Sequence, residues 1–245
     1  MLAYRPPWRK VKPGSLLTLP QRPYSVGIEA RETLPFRVRL VDSTQDLIRA
    51  VEIRASAFAR HVPSLGASLS EPEADDHRPD VLLLIVERKA DRRVLGTMRL
   101  QPNTFRPLRV EGEARLPIAY QSARLFEFMR LGVENGIAGR MVMAALCKAG
   151  YEISFAAGFD YIFAVGRRST SEMYRSMHFD DVFAGATVPI SYAEGRPHSI
   201  FALPVSDADR RWRSSNHSLY GFMARTEHPD IQIDYDRVFA AFGQP

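Results

Sequence analysis

The segment LFEFMRLGVENGIAGR, at positions 125–140, limits most strongly what this chain can fold into. It opens with about ten residues rich in apolar and aromatic side chains, which is typical of a buried strand rather than of a helix. Glu127 and Arg130 interrupt this run, and two ionisable groups in a core strand need a specific role. A Gly-containing loop at 135–139 leads into a helix, whose first backbone amides have no acceptor within the helix. We therefore predict a strand, an anion-binding loop and a helix, with a carboxylate beside the loop.

The composition indicates a folded protein of one or two domains. The chain has 245 residues, of which 45% are hydrophobic and 25% charged, close to the averages for globular proteins. Its longest aliphatic run, at 81–86, is far shorter than the roughly 20 residues of a membrane-spanning helix, so we expect a cytoplasmic protein without a transmembrane segment. The single cysteine, Cys147, excludes a disulfide within the chain and is predicted to be a small buried hydrophobe.

Positive charge is concentrated near the N-terminus. The first 36 residues hold six basic side chains, two acidic ones and six prolines, whereas the net charge of the whole chain is +5. Charge and proline predict an extended arm over residues 1–35. Its partner would be nucleic acid, an anionic membrane surface or an acidic protein, and a solvated tail is the remaining alternative. No nucleic-acid partner is expected, because the rest of the chain is nearly neutral and has no recognised binding motif.

A capping-box pattern beginning at Ser43 predicts the start of a helix. Apolar residues then recur at helical spacing on a stripe that also carries Arg54 and Phe58. Arg54 therefore lies on the face that should be buried. Its side chain either extends to solvent at the edge of that face or forms an ion pair with a carboxylate inside the protein. The residues that follow, 61–79, are predicted to form an acidic, solvated loop.

Strands and helices alternate along the rest of the chain. Gly96 is predicted to form a bulge in a strand hairpin. The last 40 residues are predicted to contain only helical pieces. The predicted elements are the hairpin strands at 81–87 and 94–100, the strand from Leu125, a helix from about Arg140, a strand from Phe159, a short helix capped at 169–171 and ending at Met177, and an antiparallel pair at 187–192 and 198–205.

This order of elements resembles the GNAT acyltransferase fold, which belongs to the α/β (α+β) class with a mixed, mostly antiparallel central sheet flanked by helices. An R-x-x-x-F helix, an acidic loop, a strand ending in Arg-Leu and a strand with E-x-x-R follow one another over residues 36–205. They are similar to the signature of the acyl-homoserine-lactone synthases and their relatives, the N-acyl amino acid synthases, and the residues that match are Arg54, Phe58, Arg99, Glu127 and Arg130. The resemblance implies an acyltransferase domain at 36–205, between the arm at 1–35 and a helical extension at 206–245.

Departures from the family pattern narrow this resemblance. Ser64 stands where lactone synthases usually carry tryptophan, and the acidic loop has a wider spacing, so the amino acid synthase branch is favoured. The phosphate-binding loop is only half present, because Val133 stands where Gln or Arg is usual. Coenzyme A presents a pyrophosphate and an acyl carrier protein a single phosphodiester, so the weaker loop favours the acidic carrier protein, which also suits the basic arm. The donor-binding positions implied are Val133, Gly136, Ala138, Gly139 and Arg140.

Glu127 is the predicted general base. Only a neutral amine can attack a thioester, and a carboxylate can remove the amine proton if burial raises its pKa. The alternative is a buried Glu127 paired with an arginine for structure alone. In a regular strand Glu127 and Arg130 point to opposite faces. The resemblance implies a β-bulge between them, which would align them and free a backbone amide for the thioester oxyanion.

Arginines are predicted to bind the acceptor or to close the site. Arg99 or Arg130 would hold the acceptor's carboxylate through a bidentate pair, and Arg54 with the acidic loop would contact the substrate or form a structural clasp. The predicted catalytic residues are Glu127, Arg130 and Arg99, and the predicted substrate-binding residues are Arg54, Phe58, Phe126, Phe128 and Met129.

The resemblance implies an N-acyltransferase that moves a fatty acyl chain from acyl carrier protein to the amino group of an amino acid. The phosphopantetheine thioester of that carrier, or acyl-coenzyme A, is the donor, and no metal or permanently bound cofactor is expected. Three alternatives remain: an acyl-coenzyme A-dependent GNAT enzyme with another small amine as acceptor, a lactone-type synthase, or a basic nucleic-acid-binding protein.

Overall fold

One long mixed sheet organises the chain. The computed structural model describes residues 27–243, apart from the side chains at 137, 168 and 169. The strands are β1 (Ala30–Arg31), β2 (Phe36–Leu40), β3 (Leu82–Arg88), β4 (Val94–Pro102), β5 (Leu125–Val133), β6 (Tyr161–Gly166), β7 (Asp180–Asp181), β8 (Val188–Ile190), β9 (Arg196–Pro204), β10 (Thr226–Glu227) and β11 (Ile231–Gln232). The helices are α1 (Thr44–Ala59), α2 (Pro63–Ser68), α3 (Arg109–Glu113), α4 (Ile137–Ala156), α5 (Arg168–Ser176), α6 (Ala208–Ser214) and α7 (Tyr235–Phe242).

The main sheet is mostly antiparallel. Its order is β11-β2-β3-β4-β5-β6-β9-β7, and β8 pairs with β9 beside it. Within this sheet the parallel pairs are β11 with β2 and β5 with β6. The mixed, mostly antiparallel sheet flanked by helices that the sequence predicts is therefore confirmed.

Helices cover both faces of the sheet. Apolar residues of α1 pack with Leu83 and Ile85 of β3, whereas α4 packs on the opposite face, where Leu84 points. Burial on two faces explains why β3 is apolar along nearly its whole length. At Gly150 of α4 a Cβ would lie 2.5 Å from the ring of Phe128, so only glycine lets this helix approach β5 so closely.

Two irregularities of β5 create the space for a site. Its pairing with β4 shifts register between Thr97 and Arg99, and opposite this bulge Arg130 has a φ of 52°, in the left-handed region. Its pairing with β6 extends from Leu125 only to Phe128, although β5 continues to Val133. The two central strands therefore diverge beyond Phe128 and open a gap in the sheet. The bulge implied by the family resemblance is confirmed.

Several sequence predictions are also confirmed at the level of elements. The Ser43 hydroxyl accepts from the Asp46 amide and caps α1, and the hairpin and the closing antiparallel pair form as expected. The hairpin bulge falls beside Gly96, because Gly96 pairs with Val86 while Val94 pairs with Glu87.

Other predictions were wrong in detail. Residues 61–79 are not only a loop, since they contain α2 and a 3₁₀ turn at Ala74–His77. Helix α4 begins at Ile137, so Ala138 and Gly139 lie in its first turn, and α5 begins just after Arg167 rather than at 169–171. The last 40 residues are not only helical, because β11 adds an edge strand to the main sheet and β10 pairs with β1.

The proposed N-terminal arm lies mostly outside the described residues, which begin at position 27. Its described part includes β1, and the Leu34 amide donates to the Asp230 carboxylate over 2.8 Å. In the described part of the chain, none of the helices has the length and apolar character that crossing a membrane requires.

Candidate active site

A cavity of about 250 Å³ occupies the gap between β5 and β6. Residues 127–131 of β5 form one wall, and residues at the end of β6 and on α5 form the opposite wall. The C-terminal part of α1 with α2, and the turn between β8 and β9, complete the enclosure. The lining is mainly apolar, so the cavity suits a hydrophobic chain with few polar atoms.

Glu127 is the buried carboxyl of this cavity. It is 0% exposed, and among residues 27–243 neither carboxyl oxygen has a hydrogen-bond partner. Burial raises its pKa to about 8, against the opposing positive charges of Arg99, Arg109 and Arg130. Among residues 27–243 no arginine donates a hydrogen bond to Glu127, although Arg99, Arg109 and Arg130 are near enough to act on it through their charge. A carboxyl with this pKa is protonated at neutral pH in most molecules and accepts a proton readily when ionised.

An ionic cluster lies behind the cavity and joins α1, the acidic segment and the sheet. Arg54, which is 1% exposed, donates from Nη1 and Nη2 to Asp76 over 3.0 and 2.9 Å. Arg99 donates to Asp76 and to Glu73, both over 3.0 Å. Arg54 therefore meets a carboxylate inside the protein, as one of the two alternatives predicted, and forms a clasp with the acidic segment.

Glu73 is the centre of that cluster. Arg130 donates from Nε and Nη2 to its two oxygens, each over 2.8 Å. Burial raises the pKa of Glu73, but the hydrogen bonds and charge of Arg130, together with Arg99 and Arg54, lower it to about 2. Glu73 thus stays ionised. The bidentate pair that the sequence predicted between Arg130 and the acceptor's carboxylate is formed instead between Arg130 and Glu73.

The bulge decides where Arg130 points. Gln101 pairs with Glu127, and Arg99 pairs with Met129, which places these four side chains on one face of the sheet. The left-handed backbone at Arg130 turns its side chain to this same face, where it reaches Glu73. Glu127 and Arg130 consequently line one cavity despite their odd spacing.

The loop before α4 is tightly folded. Gly136 has a φ of 86°, which favours glycine, and a Cβ at Gly139 would lie 1.9 Å from the carbonyl oxygen of Glu134. The backbone amides at 137–139, in the first turn of α4, have no acceptor within the helix, whereas the Arg140 amide donates to the Gly136 carbonyl. Val133 lines the cavity, and Ala138 and Arg140 are exposed. These positions fit an anionic group of a donor.

The predicted substrate-binding residues divide into three groups. Phe58, Phe128 and Met129 line the cavity. Arg54 belongs to the ionic cluster. Phe126 is 0% exposed and stacks on Phe159 in the core at a centroid distance of 4.7 Å, so it has no contact with the cavity.

Sequence reasoning missed several polar residues of the cavity. Tyr192 and His198 come from the turn after β8 and from β9, and Arg167 follows β6. The His198 Nδ1 lies 2.7 Å from the carbonyl oxygen of Arg196, and burial with nearby Arg167 lowers its pKa. Tyr174, in the phrase STSEMYRSMHF that supported the resemblance, also lines the cavity. Nothing in the local sequence marks Tyr192 or His198.

Solved structures of two kinds of acyl synthase share this architecture. FeeM, an N-acyl amino acid synthase from uncultured soil microbes, aligns over 77% of this chain and 97% of its own with a TM-score of 0.57 and 16% identity. The fold is that of these synthases. BjaI, a coenzyme A-dependent acyl-homoserine lactone synthase, aligns over 84% of this chain and 98% of its own with a TM-score of 0.55 and 16% identity.

MesI, also a coenzyme A-dependent acyl-homoserine lactone synthase, aligns over 78% of this chain and 98% of its own with a TM-score of 0.51 and 19% identity. No protein-family profile and no curated protein sequence matches the chain. The similarity to the two synthase groups implied by the sequence is thus found in the three-dimensional fold, whereas the sequence identity is only 16–19%.

Proposed function

We propose that this protein is an acyltransferase that moves a fatty acyl group from a thioester to the amino group of an amino acid. The observation that supports this most directly is Glu127, a fully buried carboxyl in a cavity between diverging strands. Its oxygens have no hydrogen-bond partner within residues 27–243, and its pKa is raised to about 8. A buried carboxyl without a partner costs free energy, and a chemical role for it accounts for that cost.

The reaction uses Glu127 as a proton carrier. The lone pair of a neutral amine attacks the thioester carbon, forming a C–N bond, while the ionised carboxylate of Glu127 takes one proton from the nitrogen. The tetrahedral intermediate then collapses with cleavage of the C–S bond, and the thiolate takes the proton from Glu127. The products are an amide and a free thiol, and Glu127 returns to its ionised form.

The ionic cluster keeps the acceptor side of the cavity rigid. Arg130 is held by Glu73, and Arg99 by Glu73 and Asp76, so their positive charges stay within range of Glu127 without neutralising it through a hydrogen bond. In this role Arg99 and Arg130 are positioning residues.

The donor thioester enters from the side of α4. Its phosphate would meet the free amides of the first turn of α4 and the cavity arginines Arg60 and Arg167. The acyl chain would lie along the apolar residues Leu65, Met143 and Met173. We propose acyl carrier protein as the donor because the loop lacks the usual Gln or Arg at Val133. BjaI and MesI, which share the fold, are coenzyme A-dependent, so both donors belong in the test.

A reconstituted reaction tests this function. Purified protein is mixed with a decanoyl thioester of coenzyme A or of acyl carrier protein and with each of the twenty amino acids, and the products are identified by mass spectrometry. We expect an N-decanoyl amino acid together with release of one thiol. Formation of a lactone only with S-adenosylmethionine would instead assign the chain to lactone synthesis, and no acyl transfer to any amine would refute the proposal.

A further inference from the structure

Tyr192 is, after Glu127, a second cavity residue whose side-chain oxygen has no hydrogen-bond partner in the described part of the chain. It lies in the 3₁₀ turn Ser191–Ala193, between β8 and β9, and lines the same cavity as Glu127. Among residues 27–243, its buried hydroxyl oxygen makes no hydrogen bond. A buried hydroxyl without a hydrogen bond costs free energy, so this position points to a bound substrate that supplies the missing hydrogen bond.

The orientation of Tyr192 is fixed by its neighbours. The guanidinium carbon of Arg109 lies 5.0 Å from the ring centroid, and that of Arg130 lies 5.6 Å from it. The preceding Ser191 donates from its amide to Glu113 of α3 over 2.9 Å. The ring is therefore held in place by two arginines of the ionic cluster and by the link to α3, while Tyr192 lines the cavity with its hydroxyl buried.

Tyr192 and Glu127 act on each other without touching. Burial and the nearby charge of Glu127 raise the pKa of the Tyr192 phenol, which therefore stays protonated throughout the neutral range. Neither group has a hydrogen-bond partner in the described chain, so the two are not bonded to each other. A small polar group between them would satisfy both.

A primary amine has the hydrogen-bonding groups that this arrangement requires. At the moment of attack its lone pair points at the thioester carbon and one N–H points at the Glu127 carboxylate. The second N–H then needs an acceptor inside a mainly apolar cavity, and the Tyr192 oxygen supplies one. A secondary amine has no second N–H to offer.

We propose that the Tyr192 hydroxyl binds the second N–H of the acceptor amine and so makes the enzyme selective for primary over secondary amines. This inference rests on the proposed function and adds a residue that determines which class of amine is accepted. It assigns Tyr192 to substrate binding and orientation, whereas the proton transfer remains with Glu127.

The test compares Tyr192→Phe with the unchanged protein. The acceptors are the amino acid that the unchanged protein uses best and its N-methyl derivative, with a decanoyl thioester as donor. Loss of one hydrogen bond of about 0.5–1.5 kcal/mol corresponds to a fall of roughly 2- to 12-fold in kcat/KM. We expect this fall for the primary amine, mainly through a higher KM for the acceptor, and little change for the N-methyl derivative. The ratio of kcat/KM for the primary amine to kcat/KM for the N-methyl derivative should therefore decrease.

Tyr120→Phe is the matched control. The Tyr120 ring packs edge-on against Tyr161 at 4.9 Å and lies outside the cavity lining, so its loss of a hydroxyl should leave the selectivity unchanged. Melting temperatures establish that both variants fold, and the pH profile of kcat should keep its Glu127-dependent limb in Tyr192→Phe.

The outcomes separate the two proposals. Equal falls for the primary and N-methyl acceptors, or no fall for either, would overturn the role of Tyr192 while leaving acyl transfer established. A fall in kcat that depends on the thiol leaving group would also overturn it and identify Tyr192 as a proton donor to sulfur. Failure of the unchanged protein to acylate any amino acid would overturn both the function and this inference.

Discussion

Replacing Glu127 by glutamine should make the protein more stable and less active at once. The pKa of Glu127 is raised from its ordinary value of 4.5 to about 8 in the folded protein. Between these values the folded state binds more protons than the unfolded state, so the free energy of unfolding falls by about 1.4 kcal/mol per pH unit as pH rises. The stability from the protonated carboxyl is complete below pH 4.5 and is lost as pH approaches 8.

Glutamine has nearly the same shape and does not titrate. Relative to the unchanged protein, Glu127→Gln should therefore gain about 3 kcal/mol in the free energy of unfolding between pH 4.5 and pH 7, from that slope. Its acyl-transfer rate should fall roughly 10²- to 10⁴-fold because the base is gone. In the unchanged protein kcat/KM should rise with pH toward about 8, because both the ionised carboxylate of Glu127 and the neutral acceptor amine become more abundant.

Urea unfolding at several pH values and a thiol-release assay measure the two effects. Glu52→Gln on the exposed face of α1 is the control and should change neither. The same pH dependence of unfolding in the unchanged protein and in Glu127→Gln would show that Glu127 ionises normally and would refute the argument from burial. Undiminished turnover in a folded Glu127→Gln variant would remove this residue from the mechanism.

Three further outcomes are expected. Asp76→Asn should lower the free energy of unfolding by about 3 kcal/mol in urea melts, because the buried guanidinium of Arg54 loses its nearest charged partner and keeps only Glu73 at 3.9 Å, whereas Asp42→Asn, with a 62% exposed side chain, should change it little. Gly139→Ala should raise the donor KM, since the new Cβ displaces the loop before α4, and Gly221→Ala, with nothing near its Cβ, is the control in the same steady-state assay. A series of donors from acetyl upward should gain about tenfold in affinity for every two carbons until the cavity is full, and a maximum at acetyl would contradict a long-chain donor.

Local patterns in the sequence were sufficient to predict most of the secondary-structure elements and to single out Glu127. Runs of apolar residues placed β5, the hairpin and α4, and the capping pattern at Ser43 placed the start of α1. Glu127 stood out because a carboxylate within a run of apolar residues is unusual in a buried strand. These features depend on neighbours in the sequence, which fix the backbone conformation and the buried face.

The partners of the site residues were decided only by the tertiary structure. The sequence allowed two positions for Arg54, and packing of α1 on the sheet placed its guanidinium against Asp76, 22 residues away. Arg130 shares a face with Glu127 because one left-handed residue shifts the register, and Tyr192 reaches the cavity from a turn 65 positions beyond Glu127. The sequence identified which charged groups must be buried. Hydrogen bonds and charges act between groups that are close in space, so only the fold determined which of these groups pair with each other and which remain free to bind a substrate.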